Sequence, residues 1–146
     1  MNAPLIETYY ARENGYHPFF IREHWQVAQL NYLPYLSFTS IDKVEKHEHT
    51  DEIFVLTKGK AVLIAAALEQ QEVRFECILM QTGVTYNIPI NAWHSIAMSE
   101  DAEVIIVEKS NTHLNDVVYH QLQETDKQQL KEQILQLVQE NILVNE

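Results

Sequence analysis

Residues 45–59 read EKHEHTDEIFVLTKG, and they join a cluster of charged and imidazole side chains to a short apolar segment. Residues 53–57 are β-branched, aromatic or aliphatic, which is typical of a strand, and a Lys-Gly pair follows as a turn. On an extended strand His47 and His49 project to the same side. Glu52 opens the next strand, so two imidazoles and a carboxylate come close together. These are typical ligands of a divalent transition metal.

The neighbouring segments also have the composition of strands. Residues 61–68 (AVLIAAAL) are apolar on both faces, as in a strand buried between two layers, and residues 73–80 alternate between apolar and polar side chains. Four further segments are predicted strands: residues 25–32, 36–41, 93–98 and 102–107. This succession of short strands favours an all-β sandwich or small barrel.

The C-terminal tail has a helical pattern instead. Its apolar residues recur at steps of three and four: Leu130, Ile134, Leu137, Val138 and Ile142. Thr125 and Gln128 have the spacing of a capping box. The pattern predicts a helix over about residues 126–143 that packs on the outside of the β-domain or mediates dimer formation.

A second segment with a histidine lies later in the chain. Residues 83–98 read GVTYNIPINAWHSIAM, and His94 alternates with Ile96 and Met98, so it faces an apolar interior. Together the two segments resemble the motifs of the cupin superfamily. The first motif has the form G, five residues, HxH, three or four residues, E, six residues, G. The second is G, five residues, PxG, two residues, H, three residues, N. The matching positions are Glu52 and Gly59 in the first motif and Gly83, Pro89 and His94 in the second.

The resemblance covers about residues 25–110 and implies both a fold and a site. The fold is all-β, a cupin double-stranded β-helix, or jelly-roll barrel, with a C-terminal α-helix. The implied metal ligands are His47, His49, Glu52 and His94. The implied apolar wall of the cavity is Phe54, Leu56, Ile96 and Met98.

The chain departs from the motifs at several positions. Ile41 stands in place of the first glycine, Asn91 in place of the glycine of PxG, and Met98 in place of the final Asn. Asn tolerates the left-handed backbone conformation better than most residues.

The gap from His49 to Glu52 is also shorter than the motif requires. A shifted register puts Glu45 and His47 in the HxH places, with four residues before Glu52. The alternative ligand set is then Glu45, His47, Glu52 and His94. We prefer the set with His49.

Length and charge limit the possible classes of protein. The 146 residues, 46% of them apolar, suit a single domain, which we divide into an N-terminal arm (1–24), a barrel core (25–110) and a C-terminal segment (111–146). A net charge of −11 argues against binding to nucleic acid or to an anionic membrane. The absence of a signal-like segment predicts a cytoplasmic protein. The single cysteine, Cys77, excludes an internal disulfide and a multi-cysteine zinc site.

The resemblance implies a metal-binding cupin, a homodimer, that acts on or binds a small polar metabolite. Fe, Mn, Ni, Zn and Cu all suit the ligands, and isomerase, dioxygenase and lyase chemistry are not distinguished. The alternative is a non-catalytic binding or sensing cupin, with or without metal. Glu45 and His113 are candidates for a general base. The polar cluster at 111–116 is a predicted turn, with His113 at the barrel mouth as the other interpretation.

Overall fold

The computed structural model describes the backbone of residues 2–145 and the side chains of residues 2–141. The described part contains ten strands, one 3-10 turn (Pro34–Leu36) and two helices. The strands are β1 (Gly15–Ile21), β2 (Gln26–Asn31), β3 (Lys43–Lys46), β4 (Glu52–Lys58), β5 (Ala61–Leu68), β6 (Val73–Leu79), β7 (Thr85–Ile88), β8 (Trp93–Met98), β9 (Glu103–Glu108) and β10 (Val118–Gln121). The helices are α1 (Thr112–Asn115) and α2 (Glu124–Asn145).

The strands form two antiparallel sheets of five that face each other. Sheet A has the order β1-β2-β9-β4-β7, and sheet B has the order β10-β3-β8-β5-β6. The side chains between the sheets form the main core, which includes Phe54, Leu56, Ile96, Met98 and Ile106. This is the double-sheet jelly roll with a C-terminal helix that the sequence predicts.

The first half of strand β5 is buried on both faces, as its composition predicts, and residues 65–68 are partly exposed. Leu63 belongs to the core between the sheets, whereas Ile64 packs on the outer face of sheet B. There it joins Leu130 and Ile134 of α2, both fully buried. Helix α2 therefore covers sheet B, while Ile142 of the predicted stripe lies outside the described side chains.

The helix begins earlier than the capping pattern predicts. The amide of Lys127 donates to the carbonyl of Gln123, so the first hydrogen-bonded turn starts before Thr125. Thr125 lies within the helix and is not its N-cap.

The predicted strand over residues 36–41 is wrong. Pro34 opens a 3-10 turn there, and the amides of Ser37 and Ser40 donate to the carbonyls of Pro34 and Ser37. The hydroxyl of Ser37 also bonds to that of Ser40 at 2.6 Å. These local bonds compete with the ladder that a strand would need.

The sheets extend beyond the range 25–110. Strand β1 lies within the arm and pairs with β2, and β10 lies in the C-terminal segment and pairs with β3. Both are edge strands of their sheets.

The backbone conformation of two turns explains which residues stand at motif positions 59 and 91. Gly59 has φ of +77°, and a Cβ atom there would lie 2.6 Å from Cα of Ala102. Asn91, at the glycine position of PxG, has φ of 66°, the left-handed conformation that Asn tolerates.

Candidate metal centre

Five ionisable side chains meet inside the barrel: Glu45, His47, Glu52, His94 and Glu108. In sheet B, Glu45 of β3 is paired with His94 of β8. In sheet A, Glu52 of β4 is paired with Glu108 of β9. Paired positions on antiparallel strands share a face, so each sheet presents one pair to the interior. His47 follows the end of β3, two residues after Glu45.

One carboxylate oxygen lies between the two imidazoles. Oε2 of Glu52 is 2.8 Å from Nε2 of His47 and 2.8 Å from Nε2 of His94. Nε2 of His94 lies 4.0 Å from Oε1 of Glu45, and Nε2 of His47 lies 3.9 Å from Oε2 of Glu108. Four of these side chains are buried, and Glu45 is partly exposed toward the cavity.

The main chain fixes the orientation of both rings. Nδ1 of His47 donates to the carbonyl of Asp116 at 2.7 Å, and Nδ1 of His94 donates to the carbonyl of Ala92 at 3.0 Å. Each Nε2 is therefore left to face the carboxylate of Glu52. A bare lone pair there would repel the carboxylate, so each Nε2 needs a proton or a metal ion. Such donation by the second ring nitrogen is typical of metal-ligating histidines.

The structure does not bring His49 to this cluster. Strand β3 ends at Lys46, so the alternation of side chains does not continue to His49. The carboxylate of Asp116 accepts hydrogen bonds from the amides of Glu48 and His49, each 2.9 Å long. The side chain of His49 is 72% exposed, with Nδ1 3.4 Å from Asp116. The structure thus brings together His47, Glu52 and His94, and Glu45 joins them in place of His49.

Sequence reasoning missed Glu108. Its Oε1 accepts hydrogen bonds from the hydroxyl of Tyr16 at 2.6 Å and from Nε2 of Gln26 at 3.1 Å. Its Oε2 is buried and has no hydrogen-bond partner among the described residues. The available signal was a glutamate that continues the inward positions of Val104 and Ile106 on an apolar strand.

The amide of Gln26 has a defined orientation. Its Oε1 accepts a hydrogen bond from the amide of Asn111 at 2.8 Å, and a main-chain amide can only donate. Nε2 therefore faces Glu108, and it also lies 3.1 Å from Nδ1 of His113. The ring of His113 lies 5.4 Å from that of Tyr16 and lines the cavity, as the second interpretation of the 111–116 cluster holds.

Burial and the contacts within the cluster shift the pKa values of these groups. Burial disfavours charge on Glu52, but hydrogen bonds from His47 and His94 outweigh it and hold the pKa of Glu52 well below its usual range. Burial lowers the pKa of His47, yet the bond to Glu52 prevails and raises it to about 9. The pKa of His94 is raised for the same reason. Burial and the charge of Glu52 raise the pKa of Glu108 to about 7. The carboxylates of the cluster thus favour positive charge on the two imidazoles between them.

The cluster borders a cavity of about 260 Å³. Its wall includes Phe54 and Ile96 of the predicted apolar set, whereas Leu56 and Met98 lie in the core and not among the lining residues. Tyr35 and Tyr119 line it too and are 54% and 56% exposed, which places them at its rim. A few polar groups converging in an apolar cavity are typical of a small-molecule site.

The residues present fit a metal ion. Two imidazole nitrogens and three carboxylates suit a divalent transition metal, and the carboxylates make the set harder than a three-histidine site. The unpartnered Oε2 of Glu108 is an oxygen that a cation satisfies.

No protein-family model and no curated protein matches the chain, whereas solved structures do. BH2720 from Bacillus halodurans matches with a TM-score of 0.53 and 14% identity, over 75% of this chain and 80% of that one. KdgF from Halomonas sp. matches with a TM-score of 0.48 and 15% identity, over 72% and 89%. Hydroquinone 1,2-dioxygenase from Sphingomonas sp. TTNP3, with 4-hydroxybenzoate bound, matches with a TM-score of 0.49 and 9% identity, over 69% and 68%.

The likeness to BH2720 concerns the fold alone, and that fold is the cupin jelly roll. The chain is a cupin-fold protein with a His/Glu group able to bind a metal. No helix in the described part of the chain is long and apolar enough to cross a membrane.

Proposed function

We propose that this protein binds a divalent transition metal in the barrel through Glu45, His47, Glu52 and His94, and takes up a small polar metabolite in the adjoining cavity. The observation that carries this proposal is the convergence of two Nε2 atoms on one oxygen of Glu52, with both Nδ1 atoms committed to main-chain carbonyls. Fe and Mn fit the carboxylate-rich set best, and Ni, Zn and Cu are the other candidates. We also propose that the protein is a homodimer and is located in the cytoplasm.

A bound divalent metal supplies a Lewis acid that polarises a carbonyl or holds oxygens of the metabolite. The residues of the chain hold and orient the reactants. Phe54 and Ile96 exclude water from one side of the cavity, and the main-chain carbonyls of Ala92 and Asp116 keep the two imidazoles in place. Dioxygenase, isomerase and lyase chemistry all use such a site, and a substrate screen of the loaded protein distinguishes them.

The second candidate is a metal-free binding or sensing protein. Both 2.8 Å contacts of Glu52 are complete hydrogen bonds when each imidazole is protonated. The raised pKa values of His47 and His94 favour that state. In this case the cavity binds a small molecule without turnover.

Elemental analysis of the untagged protein separates the two candidates. We expect near-stoichiometric metal in the wild type, and loss of metal in His47→Ala and in His94→Ala. His49→Ala is the matched control, because it removes the same side chain outside the cluster, and it should keep its metal. Circular dichroism verifies that each variant is folded.

Two results would contradict the metal proposal. If the wild type takes up none of the five metals after each is added back, the metal-free candidate stands. If His49→Ala loses metal as His47→Ala does, the ligand set with Glu45 in place of His49 is wrong.

A further inference from the structure

One buried oxygen of the cluster has no hydrogen-bond partner among the described residues, namely Oε2 of Glu108. Buried polar atoms in folded proteins are nearly always paired, so such an atom needs an explanation. A proton on Oε2 would remove its charge, but the resulting hydroxyl would still have no acceptor among the described residues. A cation or a water molecule at this position supplies a partner.

The neighbours of Glu108 hold its carboxylate in one orientation. Both donors, Tyr16 and Gln26, bond to Oε1, and Asn111 fixes the amide of Gln26 in turn. Oε2 is thereby left near Nε2 of His47, at 3.9 Å. That distance is too long for a hydrogen bond.

The separation is nevertheless short enough for two ligands of one ion. Ligand atoms of His47, Glu52 and Glu108 all lie within 4.8 Å of one another. A second group of three, Glu45, His47 and His94, meets the same limit and shares His47. Two atoms bound to one ion at about 2.1 Å each lie up to about 4.2 Å apart, so the 3.9 Å pair satisfies this condition.

From these observations we propose that Glu108 is a further metal ligand, beside His47 and Glu52. Strand β9 then contributes to the site beside β4, and sheet A supplies two ligands rather than one. The inference rests on the proposed metal binding. Its chemical consequence is a preference for harder ions, because carboxylates suit Mn²⁺ better than imidazole-rich sets do.

The test is the affinity of metal-stripped protein for Mn²⁺ and Zn²⁺, measured by calorimetric titration. Glu108→Gln keeps the size of the side chain and removes its charge. We expect it to weaken Mn²⁺ binding by more than about 100-fold, beyond the 10–100-fold typical of a residue that only supports a ligand. The loss for Zn²⁺ should be smaller. Glu103→Gln is the matched control on the same strand, facing the other way, and should bind as the wild type does.

A loss of less than about 100-fold for Mn²⁺ in Glu108→Gln would overturn the inference and make Glu108 a positioning residue. Should that variant not fold, Glu108→Asp replaces it, because Asp keeps the charge but withdraws the oxygen by one methylene. A loss of more than about 100-fold then supports the inference, and a smaller loss overturns it. If the wild type itself binds neither ion, the proposed function fails, whereas normal binding by the wild type and Glu108→Gln alike defeats this inference alone.

Discussion

His47 and Asp116 are joined by a 2.7 Å hydrogen bond from the ring Nδ1 to the main-chain carbonyl, and the carboxylate of the same aspartate accepts the amides of Glu48 and His49. One residue therefore orients the first histidine of the HxH sequence and keeps the second outside the cluster. Burial tends to raise the pKa of Asp116, but these amide hydrogen bonds outweigh it and lower the pKa.

Replacement of Asp116 by Ala should therefore affect both stability and metal binding. Two amide bonds to a carboxylate are lost, and we expect the free energy of unfolding to fall by about 1–3 kcal/mol. The loop that supports His47 loosens, so metal affinity should fall about 10–100-fold. Urea denaturation and metal titration measure the two effects. Asp116→Asn retains one acceptor oxygen and should lose less. Wild-type metal affinity in Asp116→Ala would show that the main-chain carbonyl at position 116, which orients His47, keeps its place without the carboxylate.

The metal-stripped protein should lose stability as the pH rises above neutrality. The pKa of His47 is raised in the folded state from 6.5 to about 9, so protonated His47 favours folding. This contribution is fully present below pH 6.5 and is lost as the pH rises through about 9. Glu108 acts in the same direction at lower pH, because its raised pKa of about 7 favours folding only while it is protonated. Thermal melts between pH 6 and 10 should show a falling Tm.

His47→Gln provides the control for that measurement. It removes the titrating ring, so the decline of Tm between pH 7 and 9 should become shallower. A Tm of the stripped wild type that does not change over this range would contradict the assignment of a protonated His47 to the metal-free state.

The two motif glycines should differ in their tolerance of a methyl group. Both have positive φ, +77° at Gly59 and +82° at Gly83, so alanine costs about 1–2 kcal/mol at either position. At Gly59 the added Cβ would also lie 2.6 Å from Cα of Ala102, whereas no atom lies within 4 Å at Gly83. We expect Gly59→Ala to lower the free energy of unfolding by about 2–5 kcal/mol in total. Equal losses in a denaturant titration would mean that the chain shifts away from Ala102 at little cost.

Much of the fold could be predicted because several strands have a recognisable local composition or alternation of apolar and polar residues. The composition of Ala61–Leu68 shows burial on both faces, and the structure gives that strand the same bounds. His94 could be placed inward because it alternates with apolar neighbours on Trp93–Met98. The predicted strand over residues 36–41 is wrong because Pro34, Ser37 and Ser40 take part in local hydrogen bonds that compete with strand pairing.

The site was harder to predict because two of its determinants are distant in sequence. The position of His49 depends on Asp116, 67 residues further along the chain. A rule based on spacing assumes that the strand continues, and it ends at Lys46. Glu108 becomes relevant only through the pairing of β4 with β9, which places it beside Glu52. The contact of His49 with Asp116 leaves no local pattern, and the only local signal of Glu108 is that it continues the inward positions of its strand.

The fixed amide of Gln26 also determines the tautomer of His113. Because Gln26 presents Nε2 to the ring, Nδ1 of His113 must accept, and the proton of the neutral imidazole sits on its Nε2. Burial lowers the pKa of His113 and so favours this neutral form. The main-chain amide of Asn111 thus orients the side chain of Gln26, and Gln26 in turn leaves Nε2 of His113 as a hydrogen-bond donor.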